Sequence, residues 1–200
     1  MSSVDLAAPP REHGHVAVLP IAAIGVAGLL ARPWFVAHGA GLPGLTLLYV
    51  ALVAISALSP IPQLDVVGRA IDDPLARFVH PAVSVAIGAA ALLVAHVASG
   101  PVAPIAAGGA AIGLNVVAAV SEEAFFRRFL YGALLPFGAP AAVLLTALVF
   151  ALVHVPLYGG AVFWVDLGAG LLLGWQRWAT RSWAAPAATH ALANLLAVLR

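Results

Sequence analysis

Three short segments of an otherwise apolar chain carry side chains able to do chemistry. They are Ser121-Glu122-Glu123-Ala124-Phe125-Phe126-Arg127-Arg128, Phe150-Ala151-Leu152-Val153-His154 and His190-Ala191-Leu192-Ala193-Asn194. A carboxylate in an apolar cavity can act as general base on water. Imidazoles can share that water or hold a metal, and an asparagine amide can donate to a developing oxyanion. Together these groups point to hydrolysis. The plainer alternative is a buried polar network that glues helices together. Either account suits one segment alone, whereas three such segments in one short chain favour a site.

Each segment sets two residues four apart, hence on one helical face. Glu123 and Arg127 can pair, Phe150 can pack beneath His154, and His190 and Asn194 point the same way. Glu122 points roughly 100° away from Glu123 and stays free for other work. If the helices carrying Glu122 and His154 form a hairpin about residues 136–140, both side chains lie about 20 Å from the turn at 1.5 Å per residue. His190, about 10 Å from Trp183, does not match that depth, so the last helix must start deeper or the site must be a sunken, cytoplasm-facing cavity.

The elements that position these groups follow from composition. Of 200 residues, 63% are hydrophobic and 8% charged, where a soluble domain carries about a quarter charged residues; mean hydropathy is +1.05. Lipid must be the solvent, and its core admits helices or closed barrels. The apolar runs are continuous rather than alternating, so the expected fold is an all-α, polytopic transmembrane bundle of about seven spans: 16–36, 42–58, 79–98, 104–135, 140–156, 162–178 and 184–199. Polar or Gly/Pro-rich breaks separate them. The fourth is too long for one straight crossing and calls for tilt or a break near Gly108 and Gly109. A tail (1–15), N-terminal spans (16–104) and a core carrying the motifs (105–199) make up the organisation.

The chain lacks lysine. Arg11, Arg69, Arg77, Arg127, Arg128, Arg177 and Arg181 fall on one side of the seven spans, Arg32 and Arg200 on the other. The positive-inside rule then makes the N-terminus cytoplasmic. Trp164, Trp175, Trp178 and Trp183 read as interfacial anchors. No basic block suggests nucleic acid, and the absence of cysteine excludes disulfides and thiolate chemistry. The first apolar run is read as a retained span rather than a cleaved signal.

In order and spacing, Glu122-Glu123-xxx-Arg127, Phe150-xxx-His154 and His190-xxx-Asn194 resemble the EExxxR, FxxxH and HxxxN motifs of the CPBP intramembrane proteases, the type II CAAX prenyl protease or bacteriocin-processing family. The resemblance covers about residues 105–199. It implies hydrolysis of peptide bonds in membrane-associated protein or peptide substrates, with the bilayer as partner. The short, Ala-rich character of the multi-pass chain looks like that of a protein of a prokaryotic cytoplasmic membrane. The resemblance assigns Glu122 as the base, His154 as its assistant, Glu123 and Arg127 as the supporting pair, and His190 and Asn194 as the groups that hold the scissile carbonyl and its oxyanion. Glu122, His154 and His190 would also suit a zinc ion, with a metal-free glutamate mechanism as the alternative. Arg128 departs from the glycine often found there.

Other protease classes fit less well. There is no HExxH, Asp166 lacks a GxGD context, and Ala98-Ser99-Gly100 lacks the rhomboid glycine. Asp166 suits either an interfacial position or the polar cavity. Asn115 suits a helix–helix hydrogen bond, Gly170 and Gly174 a close packing face. His38, His80 and His96 have no partner at useful spacing, and Asp65, Asp72 and Asp73 suit a solvated loop. The non-enzymatic rivals are a membrane scaffold or immunity factor that keeps the motifs, and a small transporter. The second would favour two repeated halves, which the sequence does not show.

Overall fold

Proline sets the shape of the first span. Pro33 has no N–H to give the Leu29 carbonyl, so the apolar helix α1 (Val18–Leu30) breaks at Ala31 and resumes as the short α2 (Arg32–Ala37). The remaining elements are α3 (Gly41–Leu58), α4 (Pro74–Ala98), α5 (Gly109–Glu123), a π-helix (Ala124–Leu130), α6 (Tyr131–Leu134), a 3₁₀ turn (Leu135–Phe137), α7 (Ala139–Tyr158), α8 (Val162–Thr180) and α9 (Ala184–Val198). This computed structural model describes residues 18–59, 74–98 and 109–198, among which there is no strand. The tail 1–15, Arg11, Arg69, Asp65, Asp72, Asp73, Ser99, Gly108 and Arg200 lie outside the described residues, as do the side chains of Arg77 and His96.

The all-helical expectation holds. Among the described residues three helical stretches, Val18–Ala37, Gly41–Leu58 and Ala139–Tyr158, are long and apolar enough to cross a membrane. Their outward faces are those of a lipid-solvated bundle: Leu19 and Leu47 are 76% and 72% exposed, which in water would be costly. Trp164 and Trp178 stand exposed near opposite ends of α8, as interfacial anchors do.

Small residues bring α7 and α8 together. A Cβ on Gly170 would lie 2.9 Å from the Ala147 Cα, and one on Gly174 would lie 2.9 Å from Val143 Cγ1. The backbones therefore approach as closely as the small-xxx-small pattern allows. Gln176 donates to the Ser84 carbonyl (2.7 Å) and the Thr189 hydroxyl (2.9 Å), tying α8 to α4 and α9.

Within its described residues, the long fourth segment is interrupted by the π-helix after Glu123. The last wide-ladder bond runs from the Tyr131 N–H to the Phe126 carbonyl. Returning to the tighter i→i−4 ladder passes over one carbonyl, and the Arg127 carbonyl accepts instead from Arg177 Nε at 2.9 Å. Ser56 donates its hydroxyl to the Ala124 carbonyl, and Arg128 donates to the Ser56 carbonyl at 2.7 Å. The π-segment is thus pinned from α3 at its start and from α8 at its middle, and Arg128, unexpected beside the motif, is one of the pins.

Candidate active site

Glu122 and Glu123 end α5 and point to different neighbours, as adjacent residues on a helix must. Glu122 Oε2 lies 3.5 Å from His154 Nε2 on α7, and its Oε1 accepts from Arg32 Nη1 at 2.6 Å. Glu123 Oε1 accepts from Arg127 Nη1 at 3.0 Å and pairs with His190 Nδ1 of α9 at 2.9 Å. Two Arg–Glu–His triads therefore sit side by side, built on consecutive residues. All six side chains are buried, Glu123 and Arg127 completely.

Phe150 separates the two levels. Its ring centroid is 4.6 Å from that of His154 and 5.6 Å from that of His190. His154 meets Glu122 at the expected level, while His190 meets the next residue, Glu123. Arg127 also lies over the Phe150 ring (4.8 Å) and donates to the Gly170 carbonyl at 3.1 Å, so the second triad is a joint of α5, α7, α8 and α9. Its charges are opposed, as buried charges must be.

The Phe150 carbonyl pairs with His154 Nδ1 at 2.7 Å. A carbonyl can only accept, so Nδ1 carries a hydrogen and Nε2 is the nitrogen presented to Glu122. Asp166 Oδ2 is 3.9 Å from the same Nδ1, which places Asp166 with the polar cluster rather than at the interface alone. Asn194 is not in contact with this cluster: its amide donates to the Asn115 carbonyl at 3.1 Å, about 10 Å up α5 from Glu122.

Sequence reasoning missed Arg32. Counted in the sequence only toward orientation, it is 2% exposed and reaches Glu122. Arg127 and Arg177, also counted toward orientation, are buried in the bundle. A further expectation meets a conflict. His154 lies about 6 Å from the Tyr158 end of α7 and about 22 Å from its Ala139 end at 1.5 Å per residue. Arg32 and Asp166 are likewise close to the helix ends at Ala37 and Val162. The cluster therefore lies toward the turns at 38–40 and 159–161. With a cytoplasmic N-terminus that end is external, so a cytoplasmic N-terminus and a cytoplasm-facing site do not hold together.

The zinc set Glu122, His154 and His190 does not converge. His190 turns Nδ1 to Glu123, and Glu122 carries the Arg32 cation at 2.6 Å, where a second cation would be repelled. Among the described residues no group of three His, Cys, Asp or Glu side chains is arranged to hold a metal ion.

Fold and site together define a helical membrane protein with a polar centre of paired glutamates and histidines. Residues 104–196 match the family model described as type II CAAX prenyl endopeptidase Rce1-like, which bears out the recognition drawn from the three motifs. That family is one of proteases. A search of curated proteins and a search of solved structures each found no match.

Proposed function

We propose that the protein is an intramembrane endopeptidase that hydrolyses peptide bonds of membrane-associated substrates, with Glu122 as general base and His154 as its partner. The observation that carries this reading is the approach of Glu122 Oε2 to His154 Nε2, at 3.5 Å, inside the family-matched segment. With the imidazole neutral, both atoms are acceptors. One water can give a hydrogen to each, which leaves its lone pairs for the scissile carbonyl. A water proton passes to the Glu122 carboxylate as the hydroxyl adds to the carbonyl carbon. The C–N bond then breaks, and the amine leaves with the proton from Glu122. Glu123, Arg127 and His190 hold the helices in place around this step. No step runs through a metal, since the donor set does not fit one.

The experiment is comparative peptidomics of membranes containing wild type or Glu122→Gln. Peptides that disappear in the variant at equal protein abundance are the products; an unchanged peptide profile refutes the reading and leaves a scaffold. For orientation, the arginine asymmetry of the sequence, to which Arg128 and Arg181 contribute without being fully buried, favours a cytoplasmic N-terminus. Reporter fusions in 136–140 should read cytoplasmic and fusions in 159–161 external. The opposite pattern reverses the orientation and turns the site toward the cytoplasm.

A further inference from the structure

The family match covers residues 104–196, yet the carboxylate proposed as the base is held by a residue far outside it. Arg32 spends its guanidinium on three acceptors from three elements. Nη1 donates to Glu122 Oε1 at 2.6 Å, Nη2 to the Val153 carbonyl at 2.9 Å, and Nε to the Leu29 carbonyl at 3.0 Å. Val153 immediately precedes His154. The same planar group therefore fixes the base on α5 and the backbone beside its partner on α7, with the geometry of a fork rather than of a point charge.

The third bond explains why arginine takes this pose. In an unbroken helix the Leu29 carbonyl would accept from the N–H of residue 33. Pro33 has none, and Arg32 Nε takes the vacant acceptor. The Arg32-Pro33 dipeptide thus makes its own anchor: the proline frees a carbonyl, the carbonyl orients the guanidinium, and the guanidinium aims at Glu122. One carboxylate oxygen is engaged, and the other faces His154.

We infer that Arg32 is a positioning residue of the hydrolytic site, contributed by the N-terminal span, which orients the Glu122 carboxylate and holds it at a fixed distance from His154. The inference rests on the proposed function. Arg32 touches neither water nor substrate in this role and acts through Glu122.

The test uses the full chain in detergent and an internally quenched peptide spanning a cleavage that peptidomics shows to be lost in Glu122→Gln. Arg32→Met should lower kcat about 10²-fold with KM little changed, the scale of misplacing a catalytic group by about an ångström. Arg32→Lys, which keeps the charge but not the fork, should recover part of that loss. Pro33→Ala returns a competing N–H to Leu29 and should lower kcat a few-fold without lowering thermal stability. If Arg32→Met does not fold, the lysine and alanine variants decide alone. A kcat within twofold of wild type in both Arg32→Lys and Pro33→Ala overturns the positioning role, as does a loss that falls on KM or on abundance alone. If no cleavage depends on Glu122, the parent reading fails and this one with it. If cleavage depends on Glu122 but not on Arg32, this inference alone fails.

Discussion

The two Arg–Glu–His triads differ in where their arginines come from and in how completely they are enclosed. Arg127 reaches Glu123 from one turn along the same stretch of chain, and both are fully buried. Arg32 reaches Glu122 from another span, and that pair keeps a small exposed area, 2% and 3%, while the two histidines are alike at 7% and 8%. In the first the ion pair is made by local sequence, and tertiary contacts to His190 and Gly170 turn it into a joint of four helices. The second is made by tertiary packing and brings a carboxylate and an imidazole together. The same three residue types therefore serve as a structural joint in one place and as a candidate reactive centre in the other.

The largest effect should separate the two by activity. Glu122→Gln keeps shape and hydrogen bonding but cannot take a proton. Cleavage per folded molecule should fall by about 10²–10⁴-fold, the usual contribution of a general base, beyond any loss of abundance caused by leaving Arg32 without its counter-charge. If base and imidazole act as a unit, adding His154→Ala should cost little more. An additive loss in the double variant, measured on the same peptide, would separate the pair into independent contributors.

The second effect should separate them by stability. Arg127→Ala removes the guanidinium from buried Glu123, leaving it only His190, and removes the contacts to Gly170 and the Phe150 ring. Breaking a buried pair from one side costs about 3–5 kcal/mol. Thermal unfolding in detergent and protein yield should both drop. Normal yield and melting temperature in Arg127→Ala would remove the distinction between joint and site.

Much of this contrast was legible in the sequence, for physical reasons. The i,i+4 pairing of Glu123 with Arg127 and the stacking of Phe150 under His154 are local and follow from helical periodicity. The equal depth of Glu122 and His154 follows from rise per residue once a hairpin is assumed. Arg32 was not legible as a partner, because a lone arginine near the end of an apolar run looks like an interfacial charge. Its signal was the following proline, which frees a carbonyl inside a span. The π-helix was hidden too: Phe125, Phe126 and Phe129 fit an α-helix as well, and the pins that stabilise the wider turn, from Ser56 and Arg177, come from elsewhere in the chain.

Asn194 offers a smaller and sharper test. The family resemblance makes it an oxyanion donor, for which removal costs about 10²–10³-fold in kcat. Here its amide is committed to the Asn115 carbonyl, a helix–helix contact of the kind worth about 0.6–1.7 kcal/mol in a membrane. Asn194→Ala is therefore expected to lower the melting temperature modestly and to cost less than about tenfold in kcat, below the oxyanion scale. A loss of the full oxyanion size at unchanged stability would show that the amide leaves Asn115 and joins the reacting centre when substrate binds.

The smallest expected effect is none at all. A zinc mechanism would need Glu122, His154 and His190 to converge, whereas the two histidines are divided between two glutamates and the Glu122 carboxylate already faces a guanidinium. Bringing a divalent cation to Glu122 means displacing Arg32 or accepting like charges at close range in a low-dielectric setting. Prolonged treatment with chelators, followed by assay in metal-free buffer, should leave cleavage at its starting rate. Activity lost on chelation and regained with added zinc would show that the second triad opens, releasing His190 from Glu123 to join the first. Arg127 would then be left as the sole counter-charge of Glu123, and the division between joint and reactive centre would hold only in the metal-free protein.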